Sequence, residues 1–487
     1  MSMKPNAETI SRLAKEYDII PISKEIYGDV ITPISLLRKI SQKYQSFFLL
    51  ESVEGGEKWG RYSFLGFQPI LRITCKNGIV TITENGEEKQ SQEEPFAAIR
   101  KLMQNYRAPK IGGMPPFAGG LVGYFGYSMI GYCEPTLKLS QGEMNDYDFM
   151  LFDKVITYDH LKQKILMIVN MKTDNVLENY GKAAAEIETL SAFITEQSAV
   201  GKMYTKSEPH FTSNFTKERF CQAVEKTKDY IYDGDIFQAV ISRRFETQYQ
   251  GSLFNAYRVL RTTNPSPYMV FLQCGENQII STSPETLVKL QDGKLSTFPI
   301  AGSRPRGLTE DEDMVLEREL MADEKELSEH TMLVDLARND IGKIAKPLSV
   351  TVSEYRKVRK YSKIMHICSE VNGELQEGLD AYDAVRALLP AGTLSGAPKV
   401  RACEIIEEIE ESPREIYGGA LGYIDFTGNL DTCIAIRMAV KRNDRVTIQA
   451  GAGIVADSVG ESEFIESENK ARAVMDAIVN AKEVEDL

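Results

Sequence analysis

Short apolar runs broken by Asn-Gly and Asp-Gly pairs alternate in this chain with longer stretches whose apolar residues recur every three or four positions. Asn77-Gly78 and Asn85-Gly86 interrupt LRITCKNGIVTITENGEE, and Asp292-Gly293 separates TLVKL from KLSTF. These pairs supply the positive φ of two-residue hairpins, so both halves of the chain are expected to hold antiparallel sheet rather than parallel winding. Phe220, Val224, Thr227 and Ile231 fall at i, i+4, i+7 and i+11, which predicts one helical face, and a longer helix is expected from about Met314 to Leu336. The class is α+β. The polar stretch TEQSAVGKMYTKSEPHFTSNFT interrupts both patterns and reads as a linker over 195–216, between an N-terminal segment 1–194 and a C-terminal segment 217–487.

Composition narrows the classes. The chain has 487 residues, 43% hydrophobic and 26% charged, which is ordinary globular usage with room for a large core. A formal charge of −13 and a pI near 5.1 argue against nucleic acid, whose binders carry a basic stripe. No apolar run approaches the roughly 18 residues needed to span a bilayer, and the N-terminus lacks the apolar core of a signal peptide, so no membrane partner and a cytoplasmic location are expected. The seven dispersed cysteines include no C-x-x-C and fit a reducing compartment, and the four histidines are too far apart for a zinc site.

Several constellations could carry chemistry. PIAGSRPRG (299–307) reads as a stiff cationic turn in which Arg304 and Arg306 could meet either an anionic small molecule or local acids. Glu326 and Glu329, and again Glu463 and Glu466, stand at i, i+3. Two such helices face to face would cage a hard divalent cation, although Glu404 and Glu407 repeat the spacing in EIIEEIEE, where a solvated face is the reading. His366, among apolar neighbours in KIMHICSE, is either a core residue or a proton carrier. Gly451, Ala452 and Gly453 follow the strand RVTIQA and suit either a strand bend or backbone donation to an anion. Alternation alone does not say whether Arg437, in CIAIRMAV, faces inward or outward.

Taken together, GDIFQAVISRRF (234–245), NPSPYM (264–269), PIAGSRPRG, EHTMLVDLARND (329–340), AGTLSGAPK (391–399), YGGALGY (417–423), GAGIVADS (451–458) and NKARA (469–473) resemble the chorismate-binding enzymes. The pattern is most similar to their anthranilate synthase component I branch, densely over about 213–475 and more thinly through LLES (49–52) and GRYSFLG (60–66). The resemblance implies large antiparallel β-sheets in a sandwich-like core flanked by helices. It further implies that Mg²⁺ is held by Glu329 and Glu466 with Glu463 and Glu326 in support. Tyr417, Arg437, Gly451, Ala452, Gly453, Lys470, Ala301, Gly302 and Gln238 would line the chorismate pocket, with His366 and Thr393 beside the reacting ring.

The implied reaction adds ammonia to chorismate and eliminates pyruvate to give anthranilate, the first step toward tryptophan. Ala301 stands where the p-aminobenzoate branch commonly has a nucleophilic lysine, and Gln238 where isochorismate synthases use a water-activating lysine. Ser303, Gly460 and Ile465 depart from the usual family residues. No G-x-C-x-G nucleophile turn is present, so ammonia is expected from solution or from a glutamine amidotransferase subunit in a hetero-oligomer. Glu51, Ser52, Asn264, Pro265, Tyr268 and Met269 match the family's L-tryptophan feedback site. The alternatives are an aminodeoxychorismate synthase component I and a catalytically silent, tryptophan-binding regulatory subunit.

Overall fold

A computed structural model describes residues 3–52, 60–196, 208–361 and 364–484. Ser46–Glu51 (SFFLLE) shows how the fold is layered. It is apolar at successive positions, which a strand accommodates only if both of its faces are buried. Phe47 and Leu49 point to one cluster and Phe48 and Leu50 to another. The neighbouring strand Tyr268–Cys274 repeats the division, with Phe271 on the first side and Val270 and Leu272 on the second.

The second of these clusters fills the space between two antiparallel sheets, each of 12 strands among the described residues. The sheet containing Ser46–Glu51 runs from Ile19–Tyr27 at one edge to Thr212–Ser213 at the other and includes Gln238–Gln248 and Arg445–Ile454. The facing sheet runs from Ile300–Pro305 to Glu87–Ser91 and includes Ile364–Glu374, Ala420–Asp425 and Gly120–Phe125. Helices cover the outer faces. Pro33–Lys43, Val176–Thr195, Phe254–Thr263 and Gly460–Asn480 pack on the first sheet, and Pro95–Met103, Glu324–Gly342 and Ala381–Leu388 on the second. The architecture is the α+β sandwich expected from the sequence.

Both sheets interleave distant parts of the chain. Glu51 lies opposite Met269 in register, and Gly120 through Phe125 lie opposite Asp425 through Ala420. Of the polar stretch 195–216, residues 197–207 lie outside the described residues, and Thr212–Ser213 already pairs with the Gln238–Gln248 strand.

The hairpins form where the Asn-Gly and Asp-Gly pairs stand. Asn77, Gly78, Asn85, Gly86, Asp292 and Gly293 all take positive φ. Phe220, Val224 and Thr227 are buried along Lys217–Tyr232 as the spacing predicts.

Three local expectations are corrected. The single helix expected from Met314 to Leu336 is two, Glu310–Ala322 and Glu324–Gly342, because Asp323 takes an extended conformation and its carboxylate accepts from the Glu326 N–H, starting a new helix. PIAGSRPRG is mostly strand (Ile300–Pro305) and bulges at Gly302 instead of turning. The strand through CIAIRMAV is interrupted, ending at Ile434 and resuming at Met438, with Arg437 between them at φ +46°.

Candidate functional site

The cleft lies where Ile300–Pro305, Ile364–Glu374 and Arg445–Ile454 meet the helices Glu324–Gly342 and Gly460–Asn480. The bulge at Gly302 organises one wall. Its φ of +67° belongs to the left-handed region, and a Cβ there would stand 3.1 Å from the Glu326 carboxylate. Glycine lets strand and helix close up, and the Gly302 carbonyl accepts from His366 Nδ1 at 2.9 Å. That bond fixes the tautomer and leaves Nε2 with a free lone pair. Burial lowers the pKa of His366, with the nearby charge of Arg437 adding to the effect, so the ring is neutral near pH 7. Ala301 is buried opposite Ile367, and Ser303 lies opposite His366.

Arg437 faces inward, which alternation had left open. Burial lowers its pKa while the charge of Glu285 opposes that shift, and its guanidinium makes no salt bridge to any of the described residues. A largely desolvated guanidinium that no salt bridge holds is chemically suited to meeting an anion. Glu285, between the strands Asn277–Ser283 and Thr286–Gln291, is the residue that sequence reasoning missed. It accepts from Thr393 Oγ1 at 3.1 Å, and burial raises its pKa against the pull of Lys470 and Arg437. Only its position after Pro284 in a strand-to-strand connection marked it, since SPETL has no period that singles out an acid.

Tyr417 is buried, its phenol pushed up by desolvation, with the backbone of Gly451 hydrogen-bonded to it. Gly451, Ala452 and Gly453 continue their strand opposite Ser242, Ile241 and Val240 instead of bending it. A Cβ on Gly453 would come within 2.6 Å of Gln238 Nε2, so the glycine gives that amide its place. Lys470 Nζ donates to the Gly451 carbonyl at 3.2 Å and pairs with Glu466 at 2.7 Å.

Two of the four acids, Glu329 and Glu463, feel the charge of Glu466. Glu329 has its carboxyl pushed up, first by partial loss of water and then by Glu326 and Glu466, while Lys470 and Lys325 pull the other way. Glu463 is raised by burial and by Glu466, against a bond to Ser458. Mutual repulsion among hard oxygen donors is the electrostatic character of a divalent-cation site, so the donor set fits Mg²⁺. Among the described residues no group of three or more His, Cys, Asp or Glu side chains is already drawn close enough together to hold a metal ion. The arginines of PIAGSRPRG meet local acids: Arg304 pairs with Asp323 at 2.8 Å and Arg306 with Asp313 at 2.5 Å. Glu404 pairs with Arg401, and Glu407 accepts from the Ser140 N–H.

The residues matched to the feedback site converge away from this cleft. Glu51 is buried and accepts from Tyr257 Oη at 2.8 Å, Arg261 Nε at 2.7 Å and Ser63 Oγ at 3.3 Å. Met269 stands beside it in register, Ser52 follows it, and 53–59 lie outside the described residues. Asn264 ends the helix Phe254–Thr263, its carbonyl accepting from Thr282 Oγ1, and Pro265 leads toward Tyr268, whose hydroxyl donates to Asp431 at 2.7 Å. Among the described residues no helix is long and apolar enough to cross a membrane.

The fold and the sequence have counterparts among known proteins. The chain is 45% identical over 491 residues to anthranilate synthase component 1 of Acetivibrio thermocellus, covering 99% of each. It is 44% identical to the protein of that name from Aquifex aeolicus, again covering 99% of each. A crystal structure of anthranilate synthase component I from Streptococcus pneumoniae TIGR4 superposes with a TM-score of 0.77 at 34% identity, over 92% of this chain and 98% of that one. The menaquinone-specific isochorismate synthase of Escherichia coli shares the fold at a TM-score of 0.70 and 18% identity, over 97% and 98% of the two chains. Residues 45–476 match the chorismate binding enzyme family, and the chain belongs to it.

Proposed function

We propose that this chain is the chorismate-using large subunit of an anthranilate synthase, which converts chorismate and ammonia to anthranilate, pyruvate and water. The observation that carries the reading is the inward guanidinium of Arg437, without a salt bridge to a described residue and close to a neutral His366 and a Glu285 that resists ionisation. The identities of 45% and 44% to chains named anthranilate synthase component 1 support it.

In this reading Arg437 and Tyr417 hold the enolpyruvyl carboxylate, and Gly451 and Gly453 present backbone donors to it. Glu329 and Glu466, with Glu463 and Glu326 beside them, would hold Mg²⁺, which neutralises the ring carboxylate in an acidic cleft. Glu285, whose carboxyl is raised by burial, is the acid that would give a proton to the departing C4 hydroxyl as ammonia adds at C2, so water leaves. The free lone pair of His366 Nε2 then takes the C2 proton. The electrons aromatise the ring and break the bond to the enolpyruvyl oxygen, and that fragment leaves as pyruvate once protonated. Ala301 offers no nucleophile, so the ring is never covalently captured there. Ammonia comes from a glutamine amidotransferase subunit, and L-tryptophan bound around Glu51, Ser52, Asn264, Pro265, Tyr268 and Met269 inhibits the reaction.

The test is anthranilate fluorescence from the purified chain with chorismate, Mg²⁺ and an ammonium salt at alkaline pH. Emission that EDTA abolishes supports the reading, and its suppression by L-tryptophan supports the feedback site. Chorismate consumed without emission would point to an aminodeoxychorismate product. Chorismate left untouched, even with an amidotransferase present, would sink the proposal.

A further inference from the structure

Behind the cleft lies a buried arginine to which the proposed chemistry assigns no role. The helix Lys399–Glu410 ends because Glu411 adopts a left-handed conformation, φ +54°, and Pro413 follows two residues later. The reversal folds Arg414 back over the helix end, where it pairs with Glu410. The side chains of both residues are at most 3% exposed. Arg414 Nε donates to Glu410 Oε2 at 2.8 Å, Nη1 to the Leu394 carbonyl at 2.5 Å and Nη2 to the Val240 carbonyl at 2.6 Å. Glu410 Oε1 in turn accepts from the Ser242 N–H at 2.7 Å and its hydroxyl at 2.8 Å, and Gln449 Nε2 donates to the same hydroxyl. The guanidinium carbon lies 5.6 Å from the Tyr417 ring centre and 4.9 Å from that of Tyr127.

Three of these contacts end at, or within two residues of, a residue assigned to the cleft. Leu394 follows Thr393, which holds Glu285, and Val240 lies two residues beyond Gln238 on the same strand. Tyr417 itself rests against the cation. Only a planar fork can meet a carboxylate and two carbonyls from separate elements at once, since a lysine ammonium is a single point on a flexible stem.

We propose that Arg414 is a positioning residue: without touching substrate, its guanidinium locks the Thr393 turn, the Gln238 strand and the Tyr417 ring into one geometry. The inference rests on the reading of the cleft given above. Glu410 neutralises the charge and ties the fork to the strand. Stability therefore depends on the pair, and catalytic alignment on the two carbonyl contacts.

Arg414→Lys keeps the charge facing Glu410 and removes the fork. Ile187→Val, a change in the buried face of the helix Val176–Thr195 on the far part of the first sheet, serves as a control that lowers stability away from the cleft. Assayed well below their melting temperatures, Arg414→Lys is expected to lose roughly 10- to 100-fold in kcat/KM, because small misplacements of reacting groups are costly, while the control stays within twofold of wild type. Amide hydrogen exchange in Arg414→Lys should rise at 392–395, 238–241 and 416–419 and stay unchanged in the helix Val176–Thr195. Wild-type kcat/KM in Arg414→Lys, or exchange raised evenly through the chain, overturns the proposal. If the wild-type protein itself makes no anthranilate, the reading of the cleft fails, and the exchange pattern still decides whether Arg414 locks these three segments.

Discussion

The Glu51 cluster and the candidate cleft both place charge inside the same sandwich and treat it in opposite ways. Around Glu51 each carboxylate oxygen has donors, from Tyr257, Arg261 and Ser63, and the arginine is answered by the acid. In the cleft Arg437 has no salt bridge among the described residues, Glu285 lies in surroundings that oppose its ionisation, and Glu329 is crowded by Glu326 and Glu466. A closed network stabilises the fold it sits in. An unbalanced one holds electrostatic strain that a ligand of the right charge relieves. The contrast separates a carboxylate that the fold already satisfies from groups whose charge the fold leaves unanswered.

The sharpest way to break this contrast is at His366. His366→Ala should lower kcat by about 10²- to 10⁴-fold, the range for losing a general acid–base group, with circular dichroism unchanged and a modest drop in melting temperature from the lost bond to Gly302. A turnover within tenfold of wild type would remove the ring from the chemistry. Arg437→Gln should follow, with kcat/KM for chorismate reduced by roughly 10²- to 10³-fold through loss of a desolvated charge contact. If KM stays constant, the arginine does not receive the substrate anion.

Glu51→Gln tests the other side. It leaves Arg261 without its charge partner and should cost about 3 kcal/mol of stability, toward the low end for a buried pair because Arg261 keeps some contact with water. At 25 °C and saturating substrate its turnover should match wild type. A denaturant midpoint that does not move would show that the network is no source of stability.

Glu329→Gln should give the smallest effect, and one opposite in sign to most substitutions of a functional acid. The carboxyl of Glu329 is raised in the folded chain, so folding favours the protonated form, and ionisation at pH 7 costs stability that the protein has at low pH. In EDTA the variant should therefore melt slightly higher than wild type at pH 7. The gain should disappear below about pH 4, where the side chain is protonated in both states. Destabilisation at pH 7 without metal would place Glu329 among the paired acids instead.

How much of this was legible depended on whether the cause was local. The Asn-Gly and Asp-Gly hairpins are set by the φ demands of two residues and formed where they stand. The break at Asp323 was also written locally, as Asp-Glu-Lys-Glu with the acid three residues on, but the longer apolar period masked it. Glu410 was hidden in a run whose neighbours Glu404 and Glu407 do pair at the surface, and nothing short of the tertiary fold distinguishes the one acid that turns inward. Glu285 and the orientation of Arg437 likewise depend on elements more than a hundred residues apart. Spacing singled out the four cleft acids and composition singled out His366, but Thr393, Tyr417 and the roles of the others were reachable only because several motifs occur together in a familiar order.

The interleaved sheets also govern how this protein comes into being on the ribosome. Ser46–Glu51 can pair early with Tyr62–Phe67, and Gly120–Phe125 with Tyr147–Phe152, but the other edge of each waits for Tyr268–Cys274 or Ala420–Asp425, which are made much later. Loop closure of that span is entropically costly and slow, and meanwhile a nascent N-terminal half exposes two apolar strands with open edges. Synthesis of this enzyme is therefore a period of aggregation risk, ended only when the last hairpin, Met438–Arg442 with Arg445–Ile454, takes its place in the sheet.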